Sequence, residues 1–204
     1  MRSNSWAELF VATKNVDKIR EITDVLSDVN IHIYSINEYP DLPDVIENQT
    51  TLEGNALKKA SEFSRACGTP ALADDTGLEV DALNGAPGIY SSRYAGDNAT
   101  YDQNVDKLIK ELKNVPKEKR TARFRTVIAL VGPGFTKTVE GVCEGMILTH
   151  RRGRGGFGYD PVFYIPETGQ TFAQMPLSEK NKISHRGKAL QNMKKVLMGL
   201  VGES

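Results

Sequence analysis

Asp74 and Asp75 follow the apolar run Pro70-Ala-Leu-Ala73 and precede Thr76-Gly77. Carboxylates this close repel one another unless a cation compensates them. Oxygen donors of this kind suit Mg²⁺, which takes one or two carboxylates plus substrate phosphates. Glu47, in an acidic stretch upstream, is a candidate second contributor. A polar turn, with either Asp bonding local backbone, fits the same residues. A second stretch, Thr13-Lys14-Asn15-Val16-Asp17-Lys18, sits between an apolar run and a helical pattern. There the free N–H groups and the helix dipole favour an anion, and Lys18 adds a point charge. The stretch lacks the glycines of a P-loop, and Asn15 also fits a simple helix cap.

The third stretch is Gly153-Arg-Gly-Gly-Phe-Gly-Tyr-Asp-Pro161. Its glycines let backbone fold close to a flat ligand. Phe157 and Tyr159 offer rings to stack on, worth about 1–3 kcal/mol per base. Asp160 is an acceptor for base N–H groups. A glycine-rich hairpin with buried aromatics is the competing reading. The fourth stretch is Lys180-Asn-Lys-Ile-Ser-His-Arg186. Ser184 is a cap candidate for a final helix, which puts His185 and Arg186 on its first turn. Cations there oppose the helix dipole, so they are expected to serve another purpose, such as donating to a base or phosphate.

The elements that must position these groups follow from periodicity. Leu9–Ala12 reads as a buried strand, and Ile19, Ile22, Val25, Leu26 and Val29 mark a helix. Residues 31–34 read as a second strand and 39–48 as a loop. Thr50 or Thr51 caps a helix carrying Leu52, Ala56, Leu57, Ala60 and Phe63. Two separate strands are expected at Pro70–Ala73 and Leu78–Leu83, then a turn cluster at Asn84–Gly88. A helix over Tyr101–Leu112 follows, then strands over Ala122–Val131, Thr138–Leu148 and Val162–Ile165, and a last helix marked by Leu190, Met193, Leu197 and Leu200. Interspersed helices and strands predict an α/β protein with a mixed sheet.

Composition narrows the function classes. Lys+Arg and Asp+Glu both count 26 in 204 residues, which counts against a generic nucleic-acid binder. A hydrophobic share of 39% against 25% charged fits one globular domain over 1–204 rather than a disordered chain. No window approaches the ~20 apolar residues of a membrane span. Cys67 and Cys143 form no CxxC, so a reducing, cytoplasmic compartment fits.

Taken together, the four stretches supply the parts for a nucleoside triphosphate: an anion loop, metal carboxylates, a stacking loop and a basic helix start. They also make the chain resemble the inosine triphosphate pyrophosphatases nearly end to end. The likeness rests on Thr13-x-Asn-x-x-Lys18, Glu53-x-Asn55-Ala56, Ala73-Asp-Asp-Thr-Gly-Leu78, Gly85-Ala-Pro-Gly-Ile-Tyr90, Gly156-Phe-Gly-Tyr-Asp-Pro161 and Ser184-His-Arg186. The resemblance implies an elongated, two-lobed α/β domain whose long mixed sheet floors a central substrate cleft, and a homodimer. It implies Mg²⁺-dependent hydrolysis of ITP, dITP and XTP to the monophosphate and pyrophosphate. By motif position, Thr13, Lys14, Asn15 and Lys18 hold phosphates, helped by Lys59. Glu47 and Asp75 hold metal, Asp75 is also the general-base candidate, and Thr76 lies beside them. Phe157, Gly158, Tyr159, Asp160, Lys180, Ser184, His185 and Arg186 bind the nucleoside. His185 or Arg186 is expected to donate to the 6-oxo group that hypoxanthine and xanthine carry and adenine lacks. One departure stands out: Gly54 occupies a position where many members carry a second acidic residue. A pyrophosphatase acting on modified pyrimidine nucleotides and a non-catalytic nucleotide or RNA binder are the alternatives.

Overall fold

In the computed structural model, residues 8–39, 42 and 45–202 are described. Of the expected loop over 39–48, residues 40, 41, 43 and 44 lie outside that set. The elements are β1 (Glu8–Val11), α1 (Val16–Leu26), β2 (His32–Ser35), α2 (Leu52–Cys67), β3 (Ala71–Val80), β4 (Pro87–Gly88), α3 (Tyr101–Glu111), β5 (Thr121–Gly132), β6 (Phe135–Ile147), β7 (Phe163–Ile165), β8 (Gln170–Thr171), α4 (Leu177–Ile183) and α5 (His185–Gly202). The strands form one mixed sheet in the order β2-β1-β3-β5-β6-β7-β8, with β4 paired to β3. The protein is therefore of the α/β class, as its periodicity predicts. Among the described residues no helix is long and apolar enough to cross a membrane, and Cys67 and Cys143 are both free thiols.

The chain forms two compact units. The first comprises the chain through Asp75, Thr126–Gly141 and the residues from Arg186 onward. Here β1 pairs in parallel with both β2 and β3. Alternation along a strand sends successive side chains to opposite faces. Leu9, Val11 and Leu72 pack with Ile22, Val25 and Leu26 of α1 and with Leu190, Met193 and Leu197 of α5. Phe10 points the other way and stacks on Phe63 of α2 at 5.3 Å. Burying each of the large α1 side chains contributes about 1.5–3 kcal/mol, so docking rather than intrinsic propensity holds that helix.

The second unit comprises Thr76–Arg125 and Val142–His185. Its core gathers Leu78 and Val80 of β3, Val105 and Leu108 of α3, Phe124, Ile147, Phe163 and Phe172. The pairs β6–β7 and β7–β8 are antiparallel. The turn cluster at 84–88 holds a left-handed Asn84 and Gly85 and a cis Ala86–Pro87 peptide.

Two expectations fail here. Pro70–Ala73 and Leu78–Leu83 are not two strands: β3 runs unbroken from Ala71 to Val80, so Asp74 and Asp75 lie mid-strand rather than at a strand's end. The interruption predicted from their polarity disappears because partners distant in sequence compensate both carboxylates. The short helix α4, just before α5, was also not expected; Pro176 precedes it, a favourable entry into a first helical turn.

Candidate active site

In the first unit, Asn15 caps α1: its Oδ1 accepts from the N–H groups of Asp17 and Lys18 at 3.0 and 3.2 Å. The N–H of Asn15 in turn donates to Thr13 Oγ1 at 3.2 Å. This cap turns the helix so that Lys18 reaches Asp74, Nζ to Oδ1 at 3.1 Å. Lys14 is exposed, on the same junction. From the other side of the sequence, Arg186 Nε donates to Asp74 Oδ2 at 3.1 Å, and its Nη1 donates to Glu21 at 2.5 Å. Asp74 is 1% exposed, Arg186 2% and Glu21 3%. Burial opposes the charge on Asp74, yet Lys18, Arg186 and Lys59 overcome it and hold the carboxyl well below the usual carboxylate range. Arg186 is accordingly part of this buried ion network, which offsets the unfavourable position of a cation at a helix start.

Asp75, the next residue, points to the opposite face and meets α2. Asn55 Nδ2 donates to its Oδ2 at 3.0 Å. Lys59 Nζ lies 3.9 Å from its Oδ1, donates to Glu47 Oε1 at 2.6 Å and to the Asp74 carbonyl at 2.7 Å. Burial raises the Asp75 carboxyl above its ordinary 3.8, and Glu47 adds to the shift; Lys59, Lys18 and the Asn55 hydrogen bond oppose it without cancelling it. Two adjacent carboxyls are thus driven in opposite directions. Among the described residues no group of three or more His, Cys, Asp or Glu side chains forms a metal cage. Gly54 is sterically committed: a Cβ there would lie 2.9 Å from Gln49 Cβ and 3.0 Å from Thr51 Oγ1, the cap of α2.

In the second unit, the glycine loop is organised by Asp160, which is 3% exposed. Its Oδ2 accepts from the Phe157 N–H at 2.9 Å and from Lys180 Nζ at 2.7 Å. Gly156 has φ +68°, and a Cβ on it would lie 2.1 Å from that same oxygen. Gly158 also has positive φ, at 59°. The loop is a series of turns rather than a hairpin. Lys180 Nζ stands over the Phe157 ring, 4.9 Å from its centroid. Phe157 is half-buried, so it keeps a surface to offer.

Two of the residues expected at the nucleoside are buried in this unit. Tyr159 is 5% exposed, and its hydroxyl donates to the Ser91 carbonyl at 2.9 Å. His185 is 3% exposed and stacks on Phe124, centroids 4.4 Å apart at 14°. Ser184 is buried with extended backbone between α4 and α5, and Thr76 is half-buried on β3.

Sequence reading missed Glu21 as a functional residue, and it did not assign Asn55 a role. Both carried a signal. Glu21 lies on the helical face that Ile22 and Val25 share, and Asn55 and Lys59 fall in the stripe of Leu52, Ala56, Ala60 and Phe63. A polar group on a buried face requires a partner.

The chain is similar to known proteins over almost its whole length. The model described as the Ham1 family matches residues 9–196. The dITP/XTP pyrophosphatase of Geobacter sulfurreducens is 51% identical over 187 residues, covering 91% of this chain and 94% of that one. The dITP/XTP pyrophosphatase of Geobacillus kaustophilus is 46% identical over 196 residues, 96% of each chain. Among solved structures, the Ham1 protein of Staphylococcus aureus superposes with a TM-score of 0.84 at 41% identity, covering 94% of this chain and 98% of that one. A HAM1 protein from Coxiella burnetii gives 0.86 at the same identity and coverage. With a family match over almost its whole length and relatives at about half identity, the chain belongs to the Ham1 family.

Proposed function

We propose that this protein hydrolyses dITP, ITP and XTP to the nucleoside monophosphate and pyrophosphate. The observation that carries the chemistry is the adjacent pair on β3. Asp74 is held ionised by Lys18 and Arg186 and is committed to structure, while Asp75 is pushed up by burial. Neighbouring carboxyls with opposed environments are the signature of divided roles, one electrostatic and one able to accept a proton. The names of the Geobacter and Geobacillus relatives supply the substrate class.

In this reading the α1 N-terminus with Lys14 and Lys18, together with Lys59, binds the triphosphate. Asp75 receives the proton of the attacking water or holds a cation. Asn55 fixes the Asp75 rotamer through its Oδ2, and Lys59 keeps Glu47 and the strand backbone in register with it. The two carboxylates fit a hard, water-rich ion such as Mg²⁺, with substrate oxygens completing its shell. Bound between Glu47 and Asp75, Mg²⁺ would neutralise phosphate oxygens and polarise the phosphorus under attack. Phe157 stacks on the purine, and Lys180, whose ammonium lies over that ring, donates to the 6-oxo group. Adenine presents a donor at that position and meets the Lys180 ammonium donor to donor, which is a basis for rejection. We further propose a homodimer working in the reducing cytoplasm.

Product analysis tests the reading. Incubation with ITP should release pyrophosphate, EDTA should abolish turnover and Mg²⁺ should restore it. Orthophosphate as the product, or equal kcat/KM for ITP, ATP and GTP, would reject it.

A further inference from the structure

Tyr101 opens α3 with 46% of its surface exposed. Its ring lies 6.0 Å from that of Phe157, at an interplanar angle of 43°. Separations of about 4.5–7 Å with a tilted arrangement are those of favourable aromatic pairs. The contact is not a chance meeting of two mobile surface rings, because the segments carrying them are tied beside it. Arg151, just upstream of the glycine loop, places Nη1 2.8 Å from Asp106 of α3, and its Nη2 donates to the Asp102 carbonyl at 3.1 Å. On the other side of Phe157, Asp160 takes the Phe157 N–H and Lys180 holds Asp160. Phe157 is thus fixed through its backbone by Asp160, and through its ring by Lys180 and Tyr101.

We infer that Tyr101 is a positioning and specificity-determining residue. It sets the pose of the Phe157 ring and widens the aromatic surface on which the purine lies. The inference rests on the proposed nucleotide pyrophosphatase reading. A flat bicyclic base gains more from a two-ring surface than a pyrimidine does, so Tyr101 also tilts selection towards purines. The residue has no part in the phosphate chemistry, which falls to Lys18, Lys59 and Asp75, so its effect appears in substrate capture rather than in turnover.

The test is steady-state kinetics of the intact protein with ITP, comparing wild type with Tyr101→Ala, Tyr101→Leu and Tyr101→Phe. Losing one aromatic partner is expected to raise KM about two- to tenfold in the Ala and Leu variants, with kcat within about twofold of wild type. Tyr101→Phe keeps the ring and should keep the wild-type KM. The inference is overturned if all three variants retain the wild-type KM. It is also overturned if Leu substitutes as well as Phe, which would make Tyr101 plain apolar packing, or if kcat falls while KM stands still. A wild-type protein that does not cleave ITP sinks the pyrophosphatase reading itself, and this outcome is separable because it needs no variant.

Discussion

Replacing Asp74 by Asn removes one charge from a buried network of four groups. Asp74 is 1% exposed and accepts from Lys18 at 3.1 Å and from Arg186 at 3.1 Å, and Arg186 is also bound to Glu21. With Asn in place, Glu21 still neutralises Arg186, but Lys18 is left without Asp74 as its counter-charge. Removing one partner of a buried pair costs about 3–5 kcal/mol, and the 17% residual exposure of the Lys18 side chain argues for the lower end. For a chain of this size a loss of about 3 kcal/mol corresponds to a fall in Tm of roughly 6–12 °C. The sign of the pH dependence is equally specific. The folded-state carboxyl lies below its ordinary value, so its contribution is present above that value and is lost as pH falls through the folded one. Urea unfolding of wild type should therefore weaken steadily on acidification below about pH 5, and Asp74→Asn should begin lower and decline less over the same range. A variant within about 1 kcal/mol of wild type at neutral pH, or one that keeps the full acid slope, would refute the assignment of Asp74 as a permanently charged structural anchor.

Asp75→Asn should behave oppositely. Its carboxyl is raised by burial, so the stability it confers is present below its ordinary 3.8 and lost as pH rises through the higher folded value. The variant should therefore melt no lower than wild type at neutral pH while losing about 100-fold or more in kcat, with nucleotide binding by calorimetry little changed; near-normal turnover would reject its role. The rising limb of the kcat/KM–pH profile should sit above 3.8, and Asn55→Ala, which removes a bond favouring the anion, should move it further towards neutrality; an unmoved or lowered limb would count against Asp75 as the titrating group. Gly156→Ala forces a Cβ to 2.1 Å from Asp160 Oδ2 at a backbone φ of +68°, so it should raise KM for ITP sharply and cost about 1–3 kcal/mol in urea unfolding; wild-type values would mean that the loop re-forms without this clasp. Tyr159→Phe should lose about 1 kcal/mol through its Ser91 bond yet leave KM unchanged, whereas a KM effect would restore Tyr159 to the nucleoside site.

Local signals were enough for most elements. The cap at Asn15, the apolar stripes of α1 and α2 and the class of the sheet all follow from short-range spacing, and the structure contains them. What escaped was set by distance along the chain. β3 looks broken at Asp74 because nothing within eight residues can neutralise a carboxylate, whereas the neutralising groups lie 56 and 112 residues away. His185 and Arg186 look like a pair of ligand donors, yet one stacks in an aromatic core and the other is bound to Glu21 and Asp74. Two neighbouring residues on a helix start share an address in sequence but not an environment. The burial of Tyr159 was hidden for the same reason: a glycine-rich neighbourhood suggests openness, but its hydroxyl has a partner 68 residues away.

That β3 carries both acidic groups side by side has a consequence for what kinds of genetic change this strand can absorb. Side chains on a strand alternate between faces, so α1 and α5 own the even position and α2 the odd one. Deleting or adding a single residue upstream within β3 would hand each helix the other's carboxyl. The anchor would then stand beside Asn55 and Lys59 and the proton acceptor beside Lys18 and Arg186, with both carboxylates retained and both functions gone. Length variation between Ala71 and Asp75 should therefore abolish activity.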